Sequence, residues 1–187
     1  MNSVDMPTKP AIFGFVAYSG TGKTTLIEKL ITYLTEKGYN ISVIKHTHHR
    51  FDVDRPGKDS YRHREAGAGE VLLVSDQRWV LMHEQASVQE MSIEEQLSKL
   101  APCDLVFLEG FKASPIPKVE LWRADHEESA GNPLKAHVDP YILAVAYPDG
   151  VNATKKPVLN KVLPILNLND LEEMANFILE TSGIQKK

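Results

Sequence analysis

The stretch that decides the fold is Ala11-Ile12-Phe13-Gly14-Phe15-Val16-Ala17, followed by Tyr18-Ser19-Gly20-Thr21-Gly22-Lys23-Thr24-Thr25. Its first half is apolar at nearly every position. A strand with one wet face would alternate, so this reads as a strand buried on both faces, as in parallel sheets. Its second half is a glycine-containing loop. Beyond it Leu26, Ile27, Leu30, Ile31 and Leu34 return at helical spacing, and Gly38 stands where a left-handed cap ends a helix. Ile41-Ser42-Val43-Ile44 is the next strand. Strand, loop, helix, strand is one unit of an α/β sheet.

The loop carries chemistry. Ala17 to Thr24 follows the phosphate-loop pattern, with alanine in place of the first glycine. Small residues let the backbone turn sharply, so that N–H groups face an anion, and the following helix adds its positive dipole end. Ser19, Gly20, Thr21, Gly22, Lys23, Thr24 and Thr25 are therefore expected to cradle nucleotide phosphates. Lys23 supplies a full charge to the outer phosphates, about 4 kcal/mol before desolvation at 4 Å and an effective dielectric of ~20. The Thr24 hydroxyl is an expected Mg²⁺ ligand.

Two further segments are placed at carboxyl ends of strands, where open α/β sheets bind ligands. In Asp104-Leu105-Val106-Phe107-Leu108-Glu109-Gly110, Glu109 holds that position. It is expected at the Mg²⁺ and, with Lys23, forms the candidate catalytic pair. Asp104, at the opposite end, reads as a surface or capping acid. Lys45-His46-Thr47-His48-His49 follows the second strand. Three histidines invite a transition-metal reading, but alternate side chains of an extended chain point to opposite faces, and no cysteine cluster accompanies them. The segment reads instead as a phosphate-sensing or substrate-binding loop. Lys45 and His46 would meet the nucleotide, Lys58 would add positive charge, and Asp59 would join the Mg²⁺ shell.

Motifs for reading the base are incomplete. Asp54-Arg55-Pro56-Gly57 has D-x-x-G lettering but lies in a loop, and Asn160-Lys161-Val162-Leu163 begins like N-K-x-D without the aspartate. Asp149, in Ala146-Tyr147-Pro148-Asp149, either offers a carboxylate to guanine or belongs to a simple turn.

The remaining segments complete an α/β pattern. A short helix is expected over 58–66, a hairpin from Val71–Val74 and Trp79–Met82, and a capping box at Ser92 with Glu95. Short strands follow at Lys118–Trp122, Ile142–Ala146 and Val162–Leu166, then a last helix capped by Asn169 or Asp170. Residues 124–140, polar and carrying Gly131 and prolines, read as a mobile surface segment. The fold class is thus α/β of the P-loop NTPase type, a mostly parallel sheet flanked by helices with an additional β-hairpin. Residues 1–10 are expected as a flexible lead, and 11–187 as a single P-loop nucleotide-binding domain.

Composition agrees. The chain has 187 residues, 42% hydrophobic and 25% charged, which excludes a disordered polypeptide. Its 21 basic against 25 acidic residues give a net charge of −4, which argues against nucleic acid or anionic membrane as a general partner. The single cysteine, Cys103, closes no intrachain disulfide. The N-terminus lacks a secretory pattern and no apolar run approaches the ~20 residues that span a bilayer, so the expected address is cytoplasmic.

The blocks at 17–25, 45–49, Asp52-Val53-Asp54-Arg55-Pro56-Gly57-Lys58-Asp59-Ser60 and Glu109-Gly110-Phe111-Lys112 together resemble the molybdopterin-guanine dinucleotide biosynthesis protein B (MobB) family, over about residues 11–180. The resemblance implies a GTP-binding accessory protein, a homodimer with weak GTPase activity, acting on a molybdopterin-related cofactor. Its implied partner is the molybdopterin guanylyltransferase (MobA). Gly20, Gly22, Lys23, Thr24 and Thr25 would hold the phosphates, Thr24 and Glu109 would lie at Mg²⁺, and 45–60 would form a switch-like segment. The alternative is a P-loop small-molecule kinase, with 124–140 as a lid and Arg123 on the transferring phosphoryl group.

Overall fold

Phe13 and Phe15 point to one side of the first strand, Gly14 and Val16 to the other, and all are buried. In the computed structural model, which describes residues 9–47, 51–87, 89–185 and 187, this strand lies inside a parallel sheet. The expected lead at 1–10 lies outside the described residues except for Lys9 and Pro10. In chain order the strands are β1 (Ala11–Val16), β2 (Ile41–Lys45), β3 (Glu70–Val74), β4 (Trp79–His83), β5 (Leu105–Glu109), β6 (Lys118–Leu121), β7 (Ile142–Tyr147) and β8 (Ile165–Asn167). The helices are α1 (Lys23–Glu36), α2 (Asp59–Glu65), α3 (Ile93–Leu97), α4 (Glu127–Gly131) and α5 (Leu171–Thr181). The chain divides into two compact units, Met1–His46 with Leu100–Lys187, and Thr47–Lys99.

The larger unit holds a six-stranded sheet ordered β2-β5-β1-β6-β7-β8, with every pairing parallel. Phe13, Phe15 and Phe107 pack edge to face on one side, beneath Leu26, Leu30 and Leu34 of α1 and Met174 and Ile178 of α5. The chain leaves β1 for β2, returns to insert β5 between them, and then places β6 on the far side of β1. That reversal puts a crevice at the carboxyl end of β1, the position at which such sheets bind ligands. The helix ends follow their sequence signals: Gly38 adopts φ 85 after α1, and the Asp170 side chain accepts from Glu173 N at α5. The strand expected at Val162–Leu166 starts later, at Ile165, because Pro164 has no N–H for the ladder.

The smaller unit contains α2, the antiparallel β3–β4 hairpin and α3 with its capping box at Ser92. Arg64 of α2 bonds both carboxylate oxygens of Asp52 (2.9 and 2.8 Å) and Glu84 Oε1 (2.8 Å). The guanidinium beside Asp52 holds its carboxyl below the usual aspartate range. Asp54 is engaged as well, by the Ser60 hydroxyl (2.9 Å) and by Arg64 Nε at 3.5 Å. The D-x-x-G lettering is therefore part of a structural clamp.

Residues 124–140 differ most from the sequence reading. They are a strap pinned to one face of β6, with Ser129, Leu134 and Ala136 buried. Lys118, Glu120 and Trp122 fall on that face at the strand period of two. Lys118 Nζ pairs with Asp139 (2.8 Å) and donates to Ser114 O (2.6 Å), while its stem fills the space over Gly14. Glu120 accepts from the N–H groups of Lys135 (2.9 Å) and Ala136 (2.8 Å), and Trp122 Nε1 donates to Ser129 O (2.8 Å). Burial pushes the Glu120 carboxyl above its ordinary pKa, opposed by those N–H bonds. The polar composition of the strap misled because Asp139, the Lys135 and Ala136 amides and Ser129 find partners on β6 and at Trp122, while Asp125, Glu127 and Glu128 stay exposed.

Removing one partner of a buried ion pair strands the other charge. Asp139→Ala is therefore expected to destabilise the chain by about 3 kcal/mol or more in denaturant unfolding, and adding Lys118→Met should restore much of the loss.

Candidate functional site

α1 begins without the caps used elsewhere. Its N-cap is Gly22 in the left-handed region (φ 93), no side chain caps it, and its first turn holds no acid. α3 and α5 each have a side-chain cap and acidic residues in the first turn. The first amides of α1 thus keep their donors and their positive dipole end directed at the loop. Gly20 is left-handed too (φ 78), so two positions of the loop favour residues without Cβ. Thr21 is buried and turned inward, its hydroxyl donating to Tyr18 O (2.8 Å) and its N–H to the same oxygen (3.3 Å). It braces the loop. Ser19 and Thr25 are exposed on either side.

Glu109 ends β5 beside β1, paired in register with Phe15 on one side and Lys45 on the other. It is only 8% exposed. Its Oε1 accepts from the Thr24 hydroxyl (3.2 Å) and lies 3.7 Å from Lys23 Nζ and 3.9 Å from Lys45 Nζ. The topology therefore gathers Lys23, Thr24, Lys45 and Glu109 from three segments of the larger unit. Two oxygen ligands in adjacent positions around an octahedral Mg²⁺ stand about 3 Å apart, given metal–oxygen distances of about 2.1 Å. The Thr24–Glu109 separation fits that requirement.

His46 meets Glu109 through the backbone: its main-chain N–H donates to the Glu109 main-chain carbonyl oxygen (2.8 Å), and its ring is 5.6 Å from that of Phe111. His48 and His49 lie outside the described residues. Asp59 belongs to the smaller unit, where it opens α2 and faces Arg62 at 3.9 Å. Asp104 ties Asn40 N (2.6 Å) and Lys187 Nζ (2.7 Å) at the amino end of β5, the structural role expected for it. Lys161 donates to Asp139 O (3.2 Å), ahead of β7, and so sits at the end of the sheet away from the phosphate loop. Asp149 follows β7 at the carboxyl end, where its Oδ2 accepts from Asn167 Nδ2.

Comparison with known proteins places this arrangement. The family model described as molybdopterin guanine dinucleotide synthesis protein B matches residues 12–147. The chain belongs to this family. The molybdopterin-guanine dinucleotide biosynthesis adapter protein of Escherichia coli is 40% identical over 172 residues, covering 90% of this chain and 91% of the relative. The adapter protein of Haemophilus influenzae is 40% identical over 169 residues, covering 89% and 86%. The crystal structure of Bacillus subtilis MobB superposes with a TM-score of 0.69 at 23% identity, covering 95% of this chain and 99% of that one. Membership in the MobB family thus rests on sequence across nearly the whole chain, and the Bacillus structure shares its fold.

Sequence reading offered Arg123 only within the kinase alternative and missed His126; the structure brings both onto the loop. Arg123 Nε donates to Thr21 O (2.9 Å), and His126 Nε2 lies 2.7 Å from the point a Cβ on Gly20 would occupy. The alternation Lys118-Val119-Glu120-Leu121-Trp122 held the signal, since a strand with one apolar face and long polar groups on the other can receive a covering segment.

Gly110 adopts φ 98, and a Cβ there would stand 2.5 Å from the His46 carbonyl oxygen. Gly110→Ala is expected to cost about 2 to 5 kcal/mol in denaturant unfolding, from left-handed strain plus overpacking against backbone.

Proposed function

We propose that this chain is a GTP-binding adapter in the biosynthesis of molybdopterin guanine dinucleotide. The carrying observation is the convergence of Lys23, Thr24 and Glu109 at an uncapped helix N-terminus, in a chain 40% identical to adapter proteins named for that pathway. The amides of Gly20–Thr25 bind the phosphates, and Lys23 turns from Glu109 to the outer phosphoryl oxygens. Lys45 and His46 flank Glu109 on the nucleotide side. Thr24 and Glu109 hold Mg²⁺, which when bound neutralises phosphate charge. Asp149 with Asn167 is the carboxylate left at the carboxyl end of the sheet to meet a guanine.

Hydrolysis in this reading is slow, with Lys23 and Glu109 as its catalytic groups. The chain's task is to present a nucleotide and a molybdopterin-related cofactor to the guanylyltransferase (MobA), in the cytoplasm where GTP is available. The kinase alternative needs 124–140 as a free lid, whereas Lys118, Glu120 and Trp122 pin that stretch. Calorimetry should show GTP binding strengthened by Mg²⁺. Lys23→Ala should weaken it at least about tenfold without loss of fold, the worth of one charge-assisted bond. Binding of GTP by Lys23→Ala as tight as in the parent would refute the assignment.

The active form in this reading is a homodimer. On the β3–β4 hairpin, Leu72, Val74, Trp79 and Leu81 share one face and are 57%, 71%, 66% and 45% exposed. A two-stranded ribbon is marginal alone in water, and a self-complementary apolar face suits a second copy of this chain. Leu72→Lys with Trp79→Lys is expected to halve the mass seen by sedimentation velocity while far-UV circular dichroism is kept. An unchanged mass would place the dimer contact elsewhere.

A further inference from the structure

Beside the loop at Gly20–Thr25 stand two side chains, Arg123 and His126, whose loop-facing N–H groups fold maintenance alone does not explain. Arg123 is fixed from behind, its backbone N–H donating to Ser129 Oγ (2.9 Å), next to the Trp122–Ser129 bond. From this anchor Nε meets Thr21 O at 2.9 Å, and Nη2 comes within 3.7 Å of the point a Gly22 Cβ would occupy. The bond to Thr21 uses one of the five guanidinium N–H groups. His126 accepts the Ser129 N–H at Nδ1 (3.4 Å), so a neutral ring carries its proton on Nε2, the atom facing Gly20. Tyr18 fastens the same strap, its hydroxyl donating to Pro133 O (3.0 Å) and its ring lying 4.1 Å beneath Lys135 Nζ. Both side chains are thus held against the two left-handed glycines of the loop.

The charge balance of the site calls for them. Glu109 lies within 4 Å of both Lys23 and Lys45 and offsets one of their two charges, leaving one net positive charge for a ligand that carries several negative ones. We propose that Arg123 and His126 are polyphosphate-binding residues. Arg123 donates from Nη1 and Nη2, and His126 from Nε2, to phosphoryl oxygens of a nucleoside di- or triphosphate seated on Gly20–Thr25. The inference rests on the phosphate-binding reading given above and extends it to an in-chain arginine on the strap.

The test is calorimetric titration of the full chain with GTP and with GDP, each with Mg²⁺, beside melting of the nucleotide-free protein. The proteins are the parent, Lys23→Ala, Arg123→Gln, Arg123→Lys and His126→Ala. Glutamine can keep a donor for Thr21 O but lacks charge and fork, so Arg123→Gln should bind GTP about tenfold or more weakly. Its melting temperature without nucleotide should stay within about 2 °C of the parent. Arg123→Lys should recover part of the affinity, and His126→Ala should lose about threefold or more, as expected for a neutral donor. If Arg123→Gln binds GTP within about twofold of the parent while Lys23→Ala loses it, this inference falls and the phosphate-loop reading stands. If the parent binds neither nucleotide, both fall. A loss of affinity matched by a fall in nucleotide-free melting temperature would make Arg123 a structural brace and overturn the proposal.

Discussion

A carboxylate held at the carboxyl end of an inner strand organises this molecule. Glu109 can remain there because its neighbours compensate it: a lysine and a hydroxyl from the first turn of α1 and a lysine from β2. Each partner depends on a different feature of the fold. Lys23 and Thr24 need α1 to start immediately after Gly22, Lys45 needs β2 to run parallel beside β5, and Gly110 must let the chain turn away under the His46 carbonyl. Placing an acid beside an uncapped helix N-terminus and two lysines leaves the site able to hold both a cation and a polyanion. That is the electrostatic requirement of a Mg²⁺–nucleotide complex.

The second organising feature is the strand that follows. β6 turns an apolar face, Val119 and Leu121, to the main core, and a face of Lys118 and Glu120, continued by Trp122 just past its end, to the strap. Its polar residues are matched in order by Asp139, the Lys135 and Ala136 amides, and Ser129. The strap thereby becomes a fixed wall beside the loop at Gly20–Thr25. Buried polar contacts of this kind are sensitive to single changes, because each group left without its partner costs its full desolvation.

Much of this was legible in the sequence where the signal is local. The apolar run of β1, the glycines of the loop, the period of α1 and the Ser92 capping box each announce their structure within a few residues, and each appears where expected. Glu109 was legible because the end of an apolar strand is a chemically meaningful position. The strap was not, since its polar groups look solvated until β6 supplies partners from residues up to 21 positions earlier (Lys118 to Asp139). The places of Arg123 and His126 against the loop were hidden for the same reason. Their nearness to Gly20 and Gly22 exists only after the strap has docked, more than a hundred residues along the chain from Thr21. The D-x-x-G lettering shows the converse, a local pattern whose acid is claimed by Arg64 and Ser60.

The central claim is that the amides of Gly20–Thr25, with Thr24 and Glu109, form one site for a nucleotide polyphosphate and its metal. A crystal structure of the chain with a non-hydrolysable GTP analogue and Mg²⁺ tests it most directly. The account expects phosphate density against those amides and the cation bonded to Thr24 Oγ1, directly or through water to Glu109. Nucleotide bound elsewhere, with Lys23 still facing Glu109 and the cradle unchanged, would contradict it.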